Sequence, residues 1–282
     1  MQMKKFTKIS TILILISIIF SSCSKKDPSP SPTNNKGING SGCLISSIDS
    51  NGVNILNYEY NSDNRVSKIN DVKNNSIITF SYSPSKITIQ KKTGGTIVNA
   101  YADLVSDGFI KQLYNDDKIV DMEKITDTTY YTYDSNKYLI KSFQSIGGYI
   151  GVQYQFGTSL KTYNTIKNGN FDKSALIGGP YFAGDLQPTD TISKVDYDYY
   201  FDKPSQVFPF TSSTATSNAL SSFMGSYPKN LVKVINITYP GIVMENFDYK
   251  FTDKGLINTV TITQSAYGNS MSYTLTLHYA CK

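Results

Sequence analysis

The chain predicts an all-β fold, and three observations carry that reading. The first is alternation at period two: Phe247, Tyr249 and Phe251 alternate with Asn246, Asp248 and Lys250, and Met271, Tyr273, Leu275, Leu277 and Tyr279 alternate with Ser272, Thr274, Thr276 and His278. Strands of this kind have one dry and one wet face, as in an antiparallel sheet. The second is composition, since 22 Tyr and 14 Phe suit pleated, half-buried surfaces while 19 Gly and 10 Pro suit the turns between them. The third is a weak repeat: an aromatic, a polar turn of Asp, Asn, Ser or Gly, two apolar residues, a polar pair and one more apolar residue. It occurs at Tyr60 to Ile69 (YNSDNRVSKI), Leu104 to Leu113 (LVSDGFIKQL), Tyr133 to Phe143 (YDSNKYLIKSF, with one extra residue) and Phe251 to Val260 (FTDKGLINTV). Each copy reads as a β-hairpin. Gly108 and Gly255 fall where the loop needs a positive φ, and Asn64 and Asn136 take that conformation at some cost. The copies are too irregularly spaced for a propeller or a solenoid. The expected architecture is a single antiparallel meander of many short strands, a twisted open sheet or half-barrel, with a β-sandwich as the alternative.

In chain order, the first element is an address. Lys4, Lys5 and Lys8 precede an apolar run from Ile9 to Phe20, which has the length of a signal-peptide core and is short for a bilayer span. Ser21 and Ser22 then lead directly into Cys23, a sequence that resembles the lipobox at which a leader is removed and the cysteine thiol is lipidated. The expected divisions are a signal peptide over 1–22, a lipidated Cys23 with a Pro/Ser/Asn-rich tether over 23–42, and a β domain over 43–282. The tether has Ile38 as its one large apolar residue and cannot form a core. Fully extended, its residues reach roughly 55 to 60 Å at about 3 Å each. Ser24-Lys25-Lys26-Asp27 resembles the charged signal that sends Bacteroidetes-type lipoproteins to the cell surface. The expected location is therefore the outer membrane, lipid-anchored and facing outward, with the periplasmic face as the alternative.

Within the β domain, Ser217 to Met224 places Ala219, Leu220, Phe223 and Met224 at helical spacing, with Ser217 as N-cap and Gly225 as stop. One short helix on the sheet is expected there. Asn168 to Thr191 mixes Gly, Pro and apolar residues without a period and reads as the longest loop.

The order VDYDYYFDKPSQVFPF, SNALSSFMG, SYPKNLVKVINIT and ENFDYKFTDKGLINTVTI resembles a family of Bacteroidetes cell-surface lipoproteins of unknown function. In that family a Tyr-x-Tyr-Asp strand and a Lys-Asn-Leu or Lys-Asn-Pro segment precede a final hairpin. The resemblance implies an exported lipoprotein and supplies no activity.

Charge and chemistry exclude more than they identify. Of 27 Lys plus Arg, three lie in the leader, so the mature chain is nearly neutral against 22 Asp plus Glu, and Arg65 is its one arginine. Nucleic acid is not an expected partner. His278 is the sole imidazole and lies on the polar face of its strand, which leaves no His-based zinc site and one conceivable triad base. There is no Gly-rich phosphate loop, HExxH or GxSxG, and no cofactor is expected. Cys43 and Cys281, at the two ends of the β domain, are candidates for a disulfide, with two separately buried thiols as the alternative. Asp196, Asp198 and Asp202 share one strand face and are weak calcium candidates without the turn of a dedicated calcium loop; Glu59, Glu123 and Glu245 are the only glutamates. Tyr149, Tyr154, Tyr181 and Phe182 are candidate sugar-stacking rings. Thr128 and Thr191 sit in Asp-Thr motifs resembling sites of O-glycan attachment. The function expected is a non-catalytic binding or structural module whose partners are the membrane, through its lipid, and an extracellular glycan or protein. The alternatives are an acyl-chain carrier on a curved sheet and a carboxylate-dependent glycan hydrolase.

Overall fold

The computed structural model describes residues 42–281 apart from 117, 121–122, 151–153, 183–190, 207–218, 227 and 239–241. The leader, Cys23 and almost all of the tether lie outside the described residues. The strands, in order, are β1 (Cys43–Ser50), β2 (Val53–Tyr60), β3 (Val66–Asp71), β4 (Ser76–Tyr82), β5 (Lys86–Thr93), β6 (Thr96–Leu104), β7 (Ile110–Asn115), β8 (Lys118–Val120), β9 (Glu123–Tyr133), β10 (Leu139–Ile150), β11 (Tyr154–Lys167), β12 (Asn170–Phe182), β13 (Thr191–Pro204), β14 (Asn230–Thr238), β15 (Ile242–Phe251), β16 (Ile257–Ala266) and β17 (Asn269–Cys281). Neighbours in sequence pair antiparallel, except that β7 pairs with β9 and β8 is a short addition to β9. β17 returns to pair with β1, from Cys43 opposite Cys281 to Ser50 opposite Leu275. The result is a closed barrel of 16 antiparallel strands.

Closure corrects the expected open sheet or half-barrel, and the sandwich alternative with it. Alternation within a strand fixes which face is dry. It does not say whether the first and last strands keep free edges, and the β1–β17 ladder joins residues more than 220 positions apart.

The hairpin repeats all lie at the end of the barrel where β1 begins and β17 stops, called here the proximal end. Their turns are identical in hydrogen bonding. Asn61, Val105, Asp134 and Thr252 donate their N–H to the carbonyls of Arg65, Phe109, Tyr138 and Leu256, and Asn64, Gly108, Lys137 and Gly255 donate back to Asn61, Val105, Asp134 and Thr252. The fifth residue of each copy has positive φ: 58° at Asn64, 80° at Gly108, 68° at Lys137 and 74° at Gly255. The left-handed residue of the third copy is thus Lys137 and not Asn136. No extra residue is needed to align that copy, because the register is set by the turn and not by its residue types.

Each turn leaves an irregularity in the adjoining ladder, and a side chain from the neighbouring strand bonds the carbonyl exposed by it. The hydroxyls of Tyr82, Tyr133 and Tyr279 donate to Val66, Ile110 and Ile257 at 2.7, 2.8 and 2.6 Å, and Asn164 Nδ2 donates to Leu139 at 2.9 Å. Tyr60 makes the same bond to Ile45 at 2.7 Å. A buried carbonyl without a partner is costly, so these tyrosines serve geometry as much as packing.

The segment expected to form a helix on the sheet lies instead in the proximal mouth. Ala219 and Leu220 are helical and continue into a short 3-10 helix, Ser221–Phe223; the candidate cap Ser217 lies outside the described residues. Ala219, Leu220 and Phe223 are buried, and the Phe223 ring stacks on Tyr82 with centroids 5.8 Å apart. One side of the segment is held by Gln206, whose Nε2 donates to Gly255 O at 2.7 Å and whose Oε1 accepts from Ile257 N at 3.0 Å. On its other side Ser226 N and Oγ donate to Lys137 O and Asn136 O at 2.6 and 2.8 Å.

The stretch from Asn168 to Thr191, expected to be a loop, is mostly β12. Its inner face carries Ser174 and Leu176 before Gly178, too little apolar contrast for alternation to be visible in the sequence.

One hydrophobic core includes residues of β1–β7, of β13–β17 and of the proximal segment. A circular ring of 16 strands would enclose an aqueous lumen. Here Ile48, Leu56, Ile69, Ile78, Ile257 and Ile262 are at most 1 % exposed, so the two apolar walls close upon one another and on the segment between them.

Candidate binding surface

Over β4, β5 and β13–β17 the barrel's outer wall is mostly polar among the described residues. On β16 and β17 the pairs Thr261–Thr274, Thr263–Ser272 and Ser265–Ser270 form a hydroxyl ladder with contacts of 3.1, 2.7 and 3.2 Å. On β4 and β5, Thr79 faces Gln90 and Ser81 faces Thr88. On β13 the outward Asp196 and Asp198 meet Lys173 and Lys233 of the neighbouring strands, each at 3.8 Å. A barrel that crosses a bilayer has the reverse polarity, with an apolar band toward lipid and a polar lumen.

These observations place the candidate carboxylates. Asp196, Asp198 and Asp202 stand on the outer wall, the first two paired with lysines, and among the described residues no group of three or more His, Cys, Asp or Glu could hold a metal ion. Glu59 is exposed and bound to Lys68 at 2.7 Å, and the side chain of Glu123 lies outside the described residues. His278, on the wet face as expected, contacts Asp49 at 2.9 Å, and that contact holds the Asp49 carboxyl below its usual range. Along β1–β7 and β13–β17 the concave face that an acyl chain would occupy carries the buried core.

Glu245 is the one glutamate on the inner face whose surroundings are described. It is 2 % exposed and accepts a 2.6 Å bond from Gln264 Nε2, directly opposite on β16. Burial raises its pKa, opposed by that hydrogen bond, and the adjacent Tyr273 is pushed up to about 12, mainly by burial. A carboxyl with a raised folded pKa gives stability below its unfolded pKa that is lost as pH rises through the folded one. Glu245→Gln keeps the acceptor for Gln264 and removes the charge. The variant is expected to melt above the wild type at neutral pH, with the gap closing at about pH 4. Melting curves across that interval check it; a constant gap, or a lower melting point at neutral pH, refutes the assignment.

Elsewhere the inner face is polar where β7 and β9–β13 form the wall. Ser174 Oγ donates to Asn164 Oδ1 at 2.6 Å and lies 3.1 Å from Tyr197 OH, while Gln144 and Asn115 donate to the two oxygens of Asp127 at 3.0 and 3.3 Å. These groups pair with one another, while Ser159 Oγ and Ser193 Oγ on β11 and β13 are buried without a hydrogen-bond partner.

The outer face of β5–β11 has another chemistry. Lys86 Nζ lies 4.6 and 5.4 Å from the ring centroids of Tyr101 and Tyr114, which are 5.4 Å from each other, and Asp103 is 4.0 Å away. A hydrogen bond to Tyr114 is the main reason that the Lys86 pKa is raised. Farther along, Tyr130 stacks against Phe143 at 6.3 Å, Lys161 lies 5.7 Å from Phe143, and Lys141 lies 5.5 Å from Tyr163. Tyr130 and Tyr163 are exposed. Aromatic faces and ammonium groups on one outer face can grip an amphipathic, hydrogen-bonding ligand.

Sequence reasoning passed over these rings. The available signal was Tyr130-Tyr131: adjacent strand residues point to opposite faces, so one of the two has to face outward. The expected stacking residues Tyr149, Tyr154, Tyr181 and Phe182 fall in β10–β12, with side chains outside the described residues. Thr128 lies within β9, opposite Ser145 on one side and Tyr114 on the other, and Asp127 before it points inward. Thr191 begins β13 opposite Ile177. A glycan transferred to Thr128 would have to be added before the ladder forms, or by an enzyme that reads a paired strand.

No family model and no curated protein matches the chain. Among solved structures, it is similar to a crystal structure described as a porin-like protein from Bacteroides vulgatus, at 14% identity and a TM-score of 0.52, over 84% of this chain and 98% of that one. A second, described as a porin-like protein from Bacteroides uniformis, has 11% identity and a TM-score of 0.46 over 80% and 90% of the two chains. At such identity the first likeness is one of fold: a closed antiparallel barrel.

Proposed function

We propose that this chain is a non-catalytic lipoprotein of the outer membrane, held by lipid on Cys23, whose barrel stands in water as a binding module. The reversed polarity of the barrel carries the reading. Over β4, β5 and β13–β17 a wall of Thr, Ser, Lys and Asp backs an apolar core, which suits an aqueous surround and not a lipid-facing band. The porin-like description of the fold relative supports an outer-membrane setting, and the basic, apolar and Ser-Ser-Cys leader supports a lipid as the means of attachment. The Ser24-Lys25-Lys26-Asp27 start favours the cell surface. The proposed ligand is an extended extracellular glycan or protein segment laid across Tyr101, Tyr114, Tyr130 and Tyr163.

Fractionation of cells carrying Cys23→Ala tests the attachment. The variant is expected in the soluble fraction, while the wild type stays with the outer membrane and is shaved from intact cells by protease. Membrane retention of the variant refutes the lipid tether, and unitary conductance from the purified protein in planar bilayers refutes the closed, water-borne barrel.

A further inference from the structure

On the outer face of β9–β11 two cross-strand rows lie side by side. Tyr130, Phe143 and Lys161 are directly opposite one another on the three strands, and Thr132, Lys141 and Tyr163 form the next row toward the proximal end. Opposite residues share a face, as do residues two apart on a strand, so all six side chains project together. Tyr130 stacks on Phe143, whose other side is approached by Lys161, and Lys141 lies against Tyr163. With strands about 4.8 Å apart, the patch is about 10 Å wide, the footprint of a short run of sugar rings.

The charge of this patch has one sign. β10 and β11 contain no acid, and Asp127 of β9 points inward to Gln144 and Asn115. Among the described residues neither Lys141 nor Lys161 forms an ion pair. Lysines around the patch do have acids: Lys86 lies 4.0 Å from Asp103, Lys173 lies 3.8 Å from Asp196, and Lys137 pairs with Asp107. Two other nearby acids are engaged elsewhere. Asp116 accepts from Asn99, and Asp134 accepts from the backbone of Asn136 and Tyr138 in its own turn. An ammonium held against a ring by the ring's quadrupole keeps its N–H donors free for an anion.

Backbone pairing decides between a peptide and a sugar. At the Tyr130 row β9, β10 and β11 are each hydrogen-bonded on both sides, so no strand edge is free to receive an extended peptide. A sugar needs none, because its C–H face lies on an aromatic ring while its substituents reach sideways. We propose that this patch binds an acidic polysaccharide, with sugar rings stacked on Tyr130, Phe143 and Tyr163 and carboxylate or sulfate groups on Lys141 and Lys161. The inference rests on the reading of the outer aromatic face as a binding surface and names its ligand class.

Affinity electrophoresis of the mature chain carrying Cys23→Ser tests it, in gels containing polygalacturonate or dextran sulfate. Fully methyl-esterified polygalacturonate and plain dextran are the uncharged counterparts. At least one acidic polymer is expected to retard the protein several-fold more than its counterpart does, by an amount that falls as salt rises. Lys141→Gln/Lys161→Gln should weaken binding about tenfold and erase the preference for charge. Lys250→Gln/Lys254→Gln removes the same charge from exposed positions elsewhere on the barrel and should bind as the wild type does. Tyr130→Ala/Tyr163→Ala should weaken binding about tenfold or more, while Tyr130→Phe/Tyr163→Phe retains it. Unchanged melting points establish that the variants are folded. Absence of retardation by both acidic polymers overturns the proposal, as do equal retardation by charged and uncharged polymers and equal losses from the two lysine pairs. Equal retardation that still depends on Tyr130 and Tyr163 leaves the aromatic binding surface standing without its acidic ligand. Acid binding that ignores the tyrosine pair overturns both.

Discussion

Cys43→Ser/Cys281→Ser is expected to lower stability by up to about 5 kcal/mol, a large share of what a domain of this size has. The two residues are directly opposite at one end of the β1–β17 ladder, with Cα atoms 4.0 Å apart and their sulfurs bonded. The bond closes a loop with a sequence separation of 238, and long loops cost the most to close in the chain-entropy account. Among the described residues, it also secures the only ladder not formed between neighbours or near-neighbours in sequence. Denaturant midpoints with and without reductant measure the effect. The wild type should fall to the variant's midpoint on reduction, and hydrogen exchange should rise first in β1 and β17. An unchanged midpoint after complete reduction excludes the role.

Gly225→Ala is expected to cost roughly 2 to 4 kcal/mol and to loosen the segment that closes the proximal mouth. Gly225 has a φ of 96°, and a Cβ there would stand 2.4 Å from Lys137 O and 2.8 Å from two ring atoms of Tyr133. Backbone conformation and space are both denied to the methyl group, and neither neighbour can yield: the carbonyl accepts the bond that docks Ser226, and Tyr133 OH bonds Ile110. Gly268→Ala is the control. Its φ is 78° with nothing within 4 Å, so it should lose only the backbone preference, about 1 kcal/mol. Protease cleavage within 205–226 and urea midpoints distinguish the two, and equal losses would refute steric docking at Gly225.

Strand identity was legible from sequence where one face was apolar and the other polar, as on β15 and β17 with Phe247, Tyr249, Leu275 and Leu277 inward. It failed on β12, where the inner face holds Ser174 among small residues and the outer face Ala175 and Ile177, so contrast between the faces vanishes. The helical phase of Ala219, Leu220 and Phe223 was readable, but not its destination, because a short apolar face fits a barrel mouth as well as a sheet. Closure had one sequence signal, the cysteines at the two ends of the domain, and alternation offered none. The outer aromatic face was hidden by abundance: with 22 tyrosines, position along the strand separates Tyr131, which is half-buried against the core, from Tyr130, which is exposed.

The single long-range ladder also sets an order of assembly. Every other pairing can form as successive hairpins appear, so contact order is low until the last step and high for that step alone. During synthesis from the N-terminus β1 appears first and its partner β17 last, and throughout that interval β1 has an unpaired edge carrying Ile45 and Ile48. Such an edge is a template for intermolecular pairing. The species that competes with ring closure is therefore specific: β1 of one chain accepting β17 of another, with Cys43 of the first oxidised to Cys281 of the second. Crowded refolding should trap it as a disulfide-linked, strand-exchanged dimer that dilution before oxidation prevents.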